Sequence, residues 1–189
     1  MKILIVLWLI FFISHSLLAA TGIKSFFEKT LKISPPQYRL LFNAVAIVLL
    51  AIIVFQLLKT PSEMVFARSY FIFGMGCGLV VASLWLLKSA FREINLASSL
   101  GFSAASESSG LVTTGLYKIV RHPLYFGSPV LLAGIFLMMP TWAIAVSVGF
   151  SIVYIIIGIE FEERKLRQVF GSAYDDYALG KKKFLPFIY

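Results

Sequence analysis

Charge is scarce in this chain. Charged residues fill 14% of its 189 positions, against about 25% in a typical water-soluble domain. Hydrophobic residues make up 59%, and the mean hydropathy is +0.90. That balance excludes an ordinary aqueous fold and points to an all-α integral membrane protein. Cysteine is nearly absent. The single thiol, Cys77, lies inside an apolar run, which excludes an intrachain disulfide and a Cys-based zinc site and leaves a small buried hydrophobe. The only histidines are His15 and His122. No metal-ligand spacing, Gly-rich phosphate loop or Ser/His/Asp set is present, so no metal is expected. Acidic residues number 9 against 17 basic ones, a net charge of +8. Nucleic acid is excluded as a partner, because the basic residues sit at the ends of apolar runs, where membrane topology accounts for them. The length suits one membrane domain, residues 1–189, and no internal repeat is visible.

The apolar runs predict about five transmembrane helices, near 3–20, 40–58, 66–87, 123–139 and 141–159. The first is interrupted only by Ser14, His15 and Ser16. Lys2 and Ala19-Ala20 also fit a signal peptide, but His15 breaks its apolar core and four more runs follow, so a retained helix is expected. An ionisable residue in a span is a functional candidate; near a helix end, His15 has the alternative of bonding a neighbour. Residues 21–38 form a basic connection whose Phe26, Phe27 and Leu31 suit an amphipathic turn on the membrane surface. Ser34-Pro35-Pro36 is expected to stop a helix. Asn43 fits an interhelical hydrogen bond, and Gly74, Gly76 and Gly78 admit a close neighbour to the third span. Residues 88–116 hold the longest connection. Only Pro140 separates the last two runs, which predicts a tight helical hairpin; Gly127, Pro129 and Gly134 bend its first arm or let it pack closely. Helix formers continue through Glu160–Leu166, and Gly171 is a helix stop. Lys181–Tyr189 mixes lysines and aromatics, an interfacial anchor pattern.

Five spans put the termini on opposite faces. Fourteen of the 17 lysines and arginines then share one face, leaving Lys2, Lys59 and Arg68 on the other. The positive-inside rule makes the first face cytosolic, with the amino terminus outside and the carboxyl terminus inside.

Two polar stretches stand on that face. Thr113–Tyr125 ends at Pro123, which is best tolerated at a first helical position, so Arg121 and His122 lie at the mouth of the fourth span. Glu160, Glu162 and Glu163 lie where the fifth span leaves the membrane. Their carboxylates either pair with Arg121 and His122 to fix the loop or hold a ligand; residue types alone leave both open. A histidine at a helix start suits an anionic group, glutamates suit a cation or hydroxyls, and Tyr117 and Tyr125 offer aromatic faces to a cation. The set fits a zwitterionic, positively charged cofactor better than a polyphosphate.

The run G-L-V-T-T-G-L-Y-K-I-V-R-H-P-L-Y (Gly110–Tyr125) resembles the signature of the isoprenylcysteine carboxyl methyltransferases. So does E-E-R-K-L-R-Q-V-F-G-S-A-Y-D-D-Y (Glu162–Tyr177), and the ending L-P-F-I is similar. Nearer the start, H-S-L-L-A (His15–Ala19) and Y-R-L-L-F-N (Tyr38–Asn43) are similar to bacterial thiol methyltransferases and NnrU-like membrane proteins. The resemblance implies S-adenosylmethionine, held in a cytosolic site made by the loop before the fourth helix and the carboxyl-terminal helix, within motifs 109–125 and 160–177. Carried over by position, its contacts are Ser109, Gly110, Leu111, Val112, Tyr117, His122, Pro123, Leu124, Tyr125 and Glu162, with Glu163 beside them. Arg121, His122 and Tyr125 are the candidates for work at the reacting centre. The prenylcysteine enzymes carry a substrate-binding arginine four residues before the cofactor-contacting glutamate, where this chain has Gly158. The resemblance therefore favours an uncharged or thiol acceptor, small or lipophilic, over a prenylcysteine carboxylate. The expected partners are the bilayer and that acceptor. Two alternatives are a non-catalytic accessory or transport protein of the NnrU-like kind, and a relative that methylates phospholipids or reduces sterols. The middles of the spans carry almost no ionisable groups, which counts against transport.

Overall fold

The structure is a computed structural model and describes residues 1–94 and 110–183. Among the described residues every extended element is helical, and the only bridges are the isolated pairs Met64–Thr141 and Val120–Lys182. The protein is an all-α integral membrane protein. Its contacts form two compact units, one built on Met1–Ser62 and one on Glu63–Ile94 with the chain from Gly110 onward.

The first unit holds α1 (Lys2–Ala19), α2 (Thr21–Thr30) and α3 (Pro35–Lys59). Leu4, Trp8, Phe11, Tyr38 and Ile53 are buried. Tyr38 ties α3 to α1 by donating its hydroxyl to the Leu18 carbonyl at 2.6 Å. His15 sits among rings, with centroids 5.5 Å from Phe11 and 4.6 Å from Phe42. The connection expected to contain a surface turn is a full helix, α2, with its Lys24 and Glu28 3.7 Å apart. That helix ends at Thr30, before Ser34-Pro35-Pro36 is reached. Proline is well placed at a first helical turn, so the same residues begin α3, where Gln37 Oε1 accepts the Ser34 backbone N–H at 2.9 Å.

The second unit holds α4 (Tyr70–Phe91), a 3₁₀ turn at Gly115–Lys118, α5 (Pro123–Met138), α6 (Trp142–Phe170) and α7 (Ser172–Ala178). Its closest helix pair is α4 with α5. A Cβ on Gly76 would lie 2.8 Å from the Gly134 carbonyl oxygen, and one on Gly134 would lie 2.9 Å from that of Gly76. Only glycine permits this approach, the means by which helices associate in lipid without a hydrophobic driving force. One face-to-face bond reinforces it: buried Ser83 donates to the Gly127 carbonyl at 2.8 Å. Gly74 and Gly78 meet nothing within 4 Å, so one glycine of the three expected makes the contact.

Met139–Thr141 turns α5 into α6, and the chain before α4 pins that corner. The Val65 N–H donates to the Pro140 carbonyl at 2.7 Å and the Trp142 N–H to that of Glu63 at 3.1 Å. This backbone pairing holds α4 back until Tyr70, four residues after the expected start of the span, where Ser69 Oγ caps it by accepting the Ile72 N–H. Among the described residues four helices are long and apolar enough to cross a membrane, and α5, with 16 residues, is shorter. At 1.5 Å per residue α5 is about 24 Å long, against a hydrocarbon core of about 30 Å. The 29 residues of α6 reach about 43 Å. Trp142–Ile159 takes up about 27 Å of that length, so the turns of α6 from Glu160 onward lie level with the start of α5.

Candidate active site

Two antiparallel helices leaving one tight corner bring equal chain distances to equal height. Counting back from Pro140, His122 lies opposite the stretch of α6 that ends in Glu162 and Glu163. Pro123 is fully buried at the first position of α5, and His122 precedes it as N-cap with φ −128° and ψ 69°. Upstream, Gly115 turns the chain at φ +56°, and a Cβ there would run into the Glu93 carboxylate. Thr114 donates its hydroxyl to that same carboxylate. The 3₁₀ turn that carries Tyr117 is thereby anchored to the end of α4.

Glu162 and Glu163 are adjacent, so they point about 100° apart around α6. Glu163 is buried. Its Oε1 lies 2.9 Å from Arg121 Nη1 and 3.3 Å from His122 Nε2, and its Oε2 lies 3.5 Å from Arg167 Nη2. Asp175 holds Arg167 in turn at 3.1 Å. The Tyr174 ring is buried beside this network and carries Arg167 over its face at 5.7 Å. A buried carboxylate is tolerated only when paired in this manner, and removing one partner of such a pair typically costs about 3–5 kcal/mol. Glu162 has a 42% exposed side chain, 3.8 Å from His122 Nδ1.

The imidazole of His122 is only 4% exposed, and burial lowers its pKa against the opposing pull of Glu162 and Glu163. Burial thus favours its neutral form. Burial, with Glu162 and Glu93 adding to it, pushes the Tyr117 phenol up to about 12. Burial likewise raises Tyr177 to about 12 and Tyr174 above its ordinary value. Of the three, Tyr177 is a donor: its Oη donates to the Tyr117 carbonyl at 2.8 Å.

A cavity of about 250 Å³ opens between these elements, walled by Tyr117, His122, Leu124, Tyr125, Ser128 and Glu162. Five of these six come from the two motifs singled out in the sequence. Arg121 and Glu163 pair outside the cavity wall, Glu163 buried and Arg121 nearly so, and Pro123 is buried and does not line the cavity. Gly110, Leu111 and Val112 are described but do not line the cavity, and Ser109 lies outside the described residues. Sequence reasoning missed Ser128. Its signal was helical spacing: it follows Leu124 by four residues and donates to the Leu124 carbonyl at 2.9 Å. It also missed the structural part of Asp175, Lys182 and Lys183. The Arg121 and His122 N–H groups donate to the carbonyls of Lys182 and Lys183 at 3.0 and 2.9 Å.

A family model described as phospholipid methyltransferase matches residues 71–173, more than half of the chain. The chain belongs to this family. The match spans α4, the cavity and the Glu162–Glu163 turn of α6. The chain is similar to methanethiol S-methyltransferases, 28% identical to that of Pseudomonas deceptionensis over 94% of this chain and 69% of that protein. The protein of the same name from Crocosphaera subtropica is 28% identical over 95% of this chain and 72% of its own length. Protein-S-isoprenylcysteine O-methyltransferase B of Arabidopsis thaliana is 37% identical over 41% of this chain and 40% of that protein. No solved structure matches significantly. The kinship read from the two motifs thus holds, and the similarity to thiol methyltransferases extends into the amino-terminal helices. The protein is an integral-membrane methyltransferase, and S-adenosylmethionine is the methyl donor of its family.

Proposed function

We propose that the cavity between α5 and α6 holds S-adenosylmethionine and that the chain methylates the sulfur of a small or lipophilic thiol. The observation that carries this is the charge of the wall. Among its described residues it has one carboxylate, two aromatic faces, a neutral imidazole and no cation. Arg121, the nearest guanidinium, is committed to Glu163. Such a wall attracts a cationic cofactor and offers nothing to an acceptor carboxylate. At Gly158 a Cβ would meet only the Tyr125 hydroxyl, 3.9 Å away, so no basic side chain reaches the cavity from that position.

When bound, the cofactor supplies an electrophilic methyl group on a sulfonium. Tyr117 and Tyr125 present their rings to positive charge, a contact that strengthens when water is excluded. Glu162 pairs with an ammonium or accepts from hydroxyls. His122 has Nε2 turned to Glu163, which leaves Nδ1 to accept the proton that a thiol acceptor gives up. Leu124 and Ser128 complete the cavity on α5. Arg121 and Glu163 hold the imidazole in place and need not touch the cofactor. Ser109 and Gly110–Val112 belong to the proposal as the approach to the site. Orientation of the two reactants supplies most of the acceleration, about 7–11 kcal/mol in well-aligned cases. The chain is proposed to act as one membrane domain, with this site on the cytosolic face and the amino terminus outside.

The test is titration of detergent-purified protein with S-adenosylhomocysteine by calorimetry, beside His122→Ala and Glu162→Ala. Binding by the wild type that both variants lose is the expected result. A folded wild type that fails to bind sinks the reading. Turnover of methanethiol, a prenylcysteine and a phospholipid amine then ranks the acceptors; the thiol is expected to lead, and a faster phospholipid amine would replace the thiol in the proposal.

A further inference from the structure

We propose that the segment Tyr177–Lys183 is a strap that positions the loop carrying Tyr117, Arg121 and His122 against α6. This rests on reading the cavity as the cofactor site. Three hydrogen bonds join the strap to the loop's backbone. Tyr177 Oη donates to the Tyr117 carbonyl at 2.8 Å, the Arg121 N–H donates to the Lys182 carbonyl at 3.0 Å, and the His122 N–H donates to the Lys183 carbonyl at 2.9 Å. Val120, buried at 3% exposure, pairs with Lys182 in a parallel bridge. Lys181 folds back to donate to the Tyr177 carbonyl at 2.9 Å and covers the Tyr177 ring at 4.4 Å.

The loop has few bonds of its own to hold it. Its 3₁₀ turn is four residues long, and short 3₁₀ turns have poor hydrogen-bond geometry. His122 precedes a proline, which bars it from the α region and leaves its N–H without a helical acceptor. The strap supplies that acceptor.

Lys183 then ties the strap to the opposite wall, because its ammonium pairs with the Glu160 carboxylate on α6. Glu160 stands two residues before Glu162, so one strand links the histidine wall to the glutamate wall. Lys183, Glu160 and Tyr177 are positioning residues: none of them lines the cavity, and each acts through the backbone or helix that carries a residue that does.

The experiment uses the full chain in detergent, with Lys183→Glu, Glu160→Lys, the two together, and Tyr177→Phe. Affinity for S-adenosylhomocysteine, KM for S-adenosylmethionine, kcat and Tm are measured for each. Each single charge reversal is expected to weaken affinity and raise KM roughly three- to tenfold, with kcat little changed. The swapped pair is expected to recover most of the loss, and Tyr177→Phe to move KM in the same direction as the reversals. Unchanged KM in all single variants would overturn the proposal, as would a lowered Tm with normal KM or a swapped pair no better than the single variants. A wild type that binds no cofactor marks a different failure, that of the cofactor-site reading, and the strap falls with it.

Discussion

Glu162 and Glu163 show how far one residue's step around a helix changes a carboxylate's work. Glu163 is enclosed by Arg121, His122 and Arg167, while Glu162 is half in solvent and faces the cavity. Their type and their place at the end of the last apolar run were legible in the sequence; their meeting with His122 was an expectation from pairing the two motifs, and it is the structure that brings them together. Their division of labour was not, because it depends on the rotation of α6 against α5, which no local pattern states. His122 gives this scale its prediction. Its pKa is lowered from the ordinary 6.5, chiefly by burial. The unfolded chain takes up a proton as pH falls through 6.5 and the native site resists it. The unfolded state therefore binds more protons in that window, and stability contributed at this site is lost as pH falls below about 6.5. Above it the contribution is flat. If neutral His122 receives the thiol proton, kcat/KM also holds level through pH 6.5 and declines only in more acid solution. The pH profiles of Tm and kcat/KM, measured beside His122→Gln, check both. A rate that climbs as the imidazole gains its proton would contradict the assigned role.

At the scale of elements, the helices were read from apolar runs of sufficient length, and their ends from Pro123, Pro140 and Gly171. Their pairing was less visible. The tight corner at Pro140 suggests that α5 packs first on α6, yet the glycine contact is with α4. The choice is made where the carbonyl oxygen of each of Gly76 and Gly134 fills the place a Cβ would take on the other, and a sequence with glycines at 74, 76 and 78 does not say which one is used. The backbone pairing of Lys182 and Lys183 with Arg121 and His122 was hidden for a related reason: it uses main-chain groups, which every residue has. Gly134→Val places methyl groups against the Gly76 carbonyl and Val80. Such overpacking costs about 1–3 kcal/mol and shifts α5, which carries Leu124, Tyr125 and Ser128. A lower Tm together with weaker S-adenosylhomocysteine binding is expected. Gly74→Val and Gly78→Val, where a Cβ meets nothing within 4 Å, are expected to leave both unchanged. Equal damage at all three positions would refute the assignment of the contact.

For the whole molecule, the proposed cytosolic placement of the site rests on where cations fall. Arg68 precedes α4, and Lys88 and Arg92 close it, with Lys118 following in the 3₁₀ turn. The 22 residues of α4 suffice to cross the hydrocarbon layer, and the proposed topology therefore puts Arg68 and Lys118 on opposite sides of it. Clusters of lysine and arginine are retained in the cytosol, and the extension of α6 adds Arg164, Lys165 and Arg167 to the Lys118 side. Exposed Arg68 and Lys118 can each be replaced by cysteine in a Cys77→Ser background and probed on intact cells with a membrane-impermeant maleimide. Arg68→Cys should label at once, and Lys118→Cys only after the membrane is opened. The reverse pattern would place the cavity outside, against the charge bias, and would overturn the proposed topology.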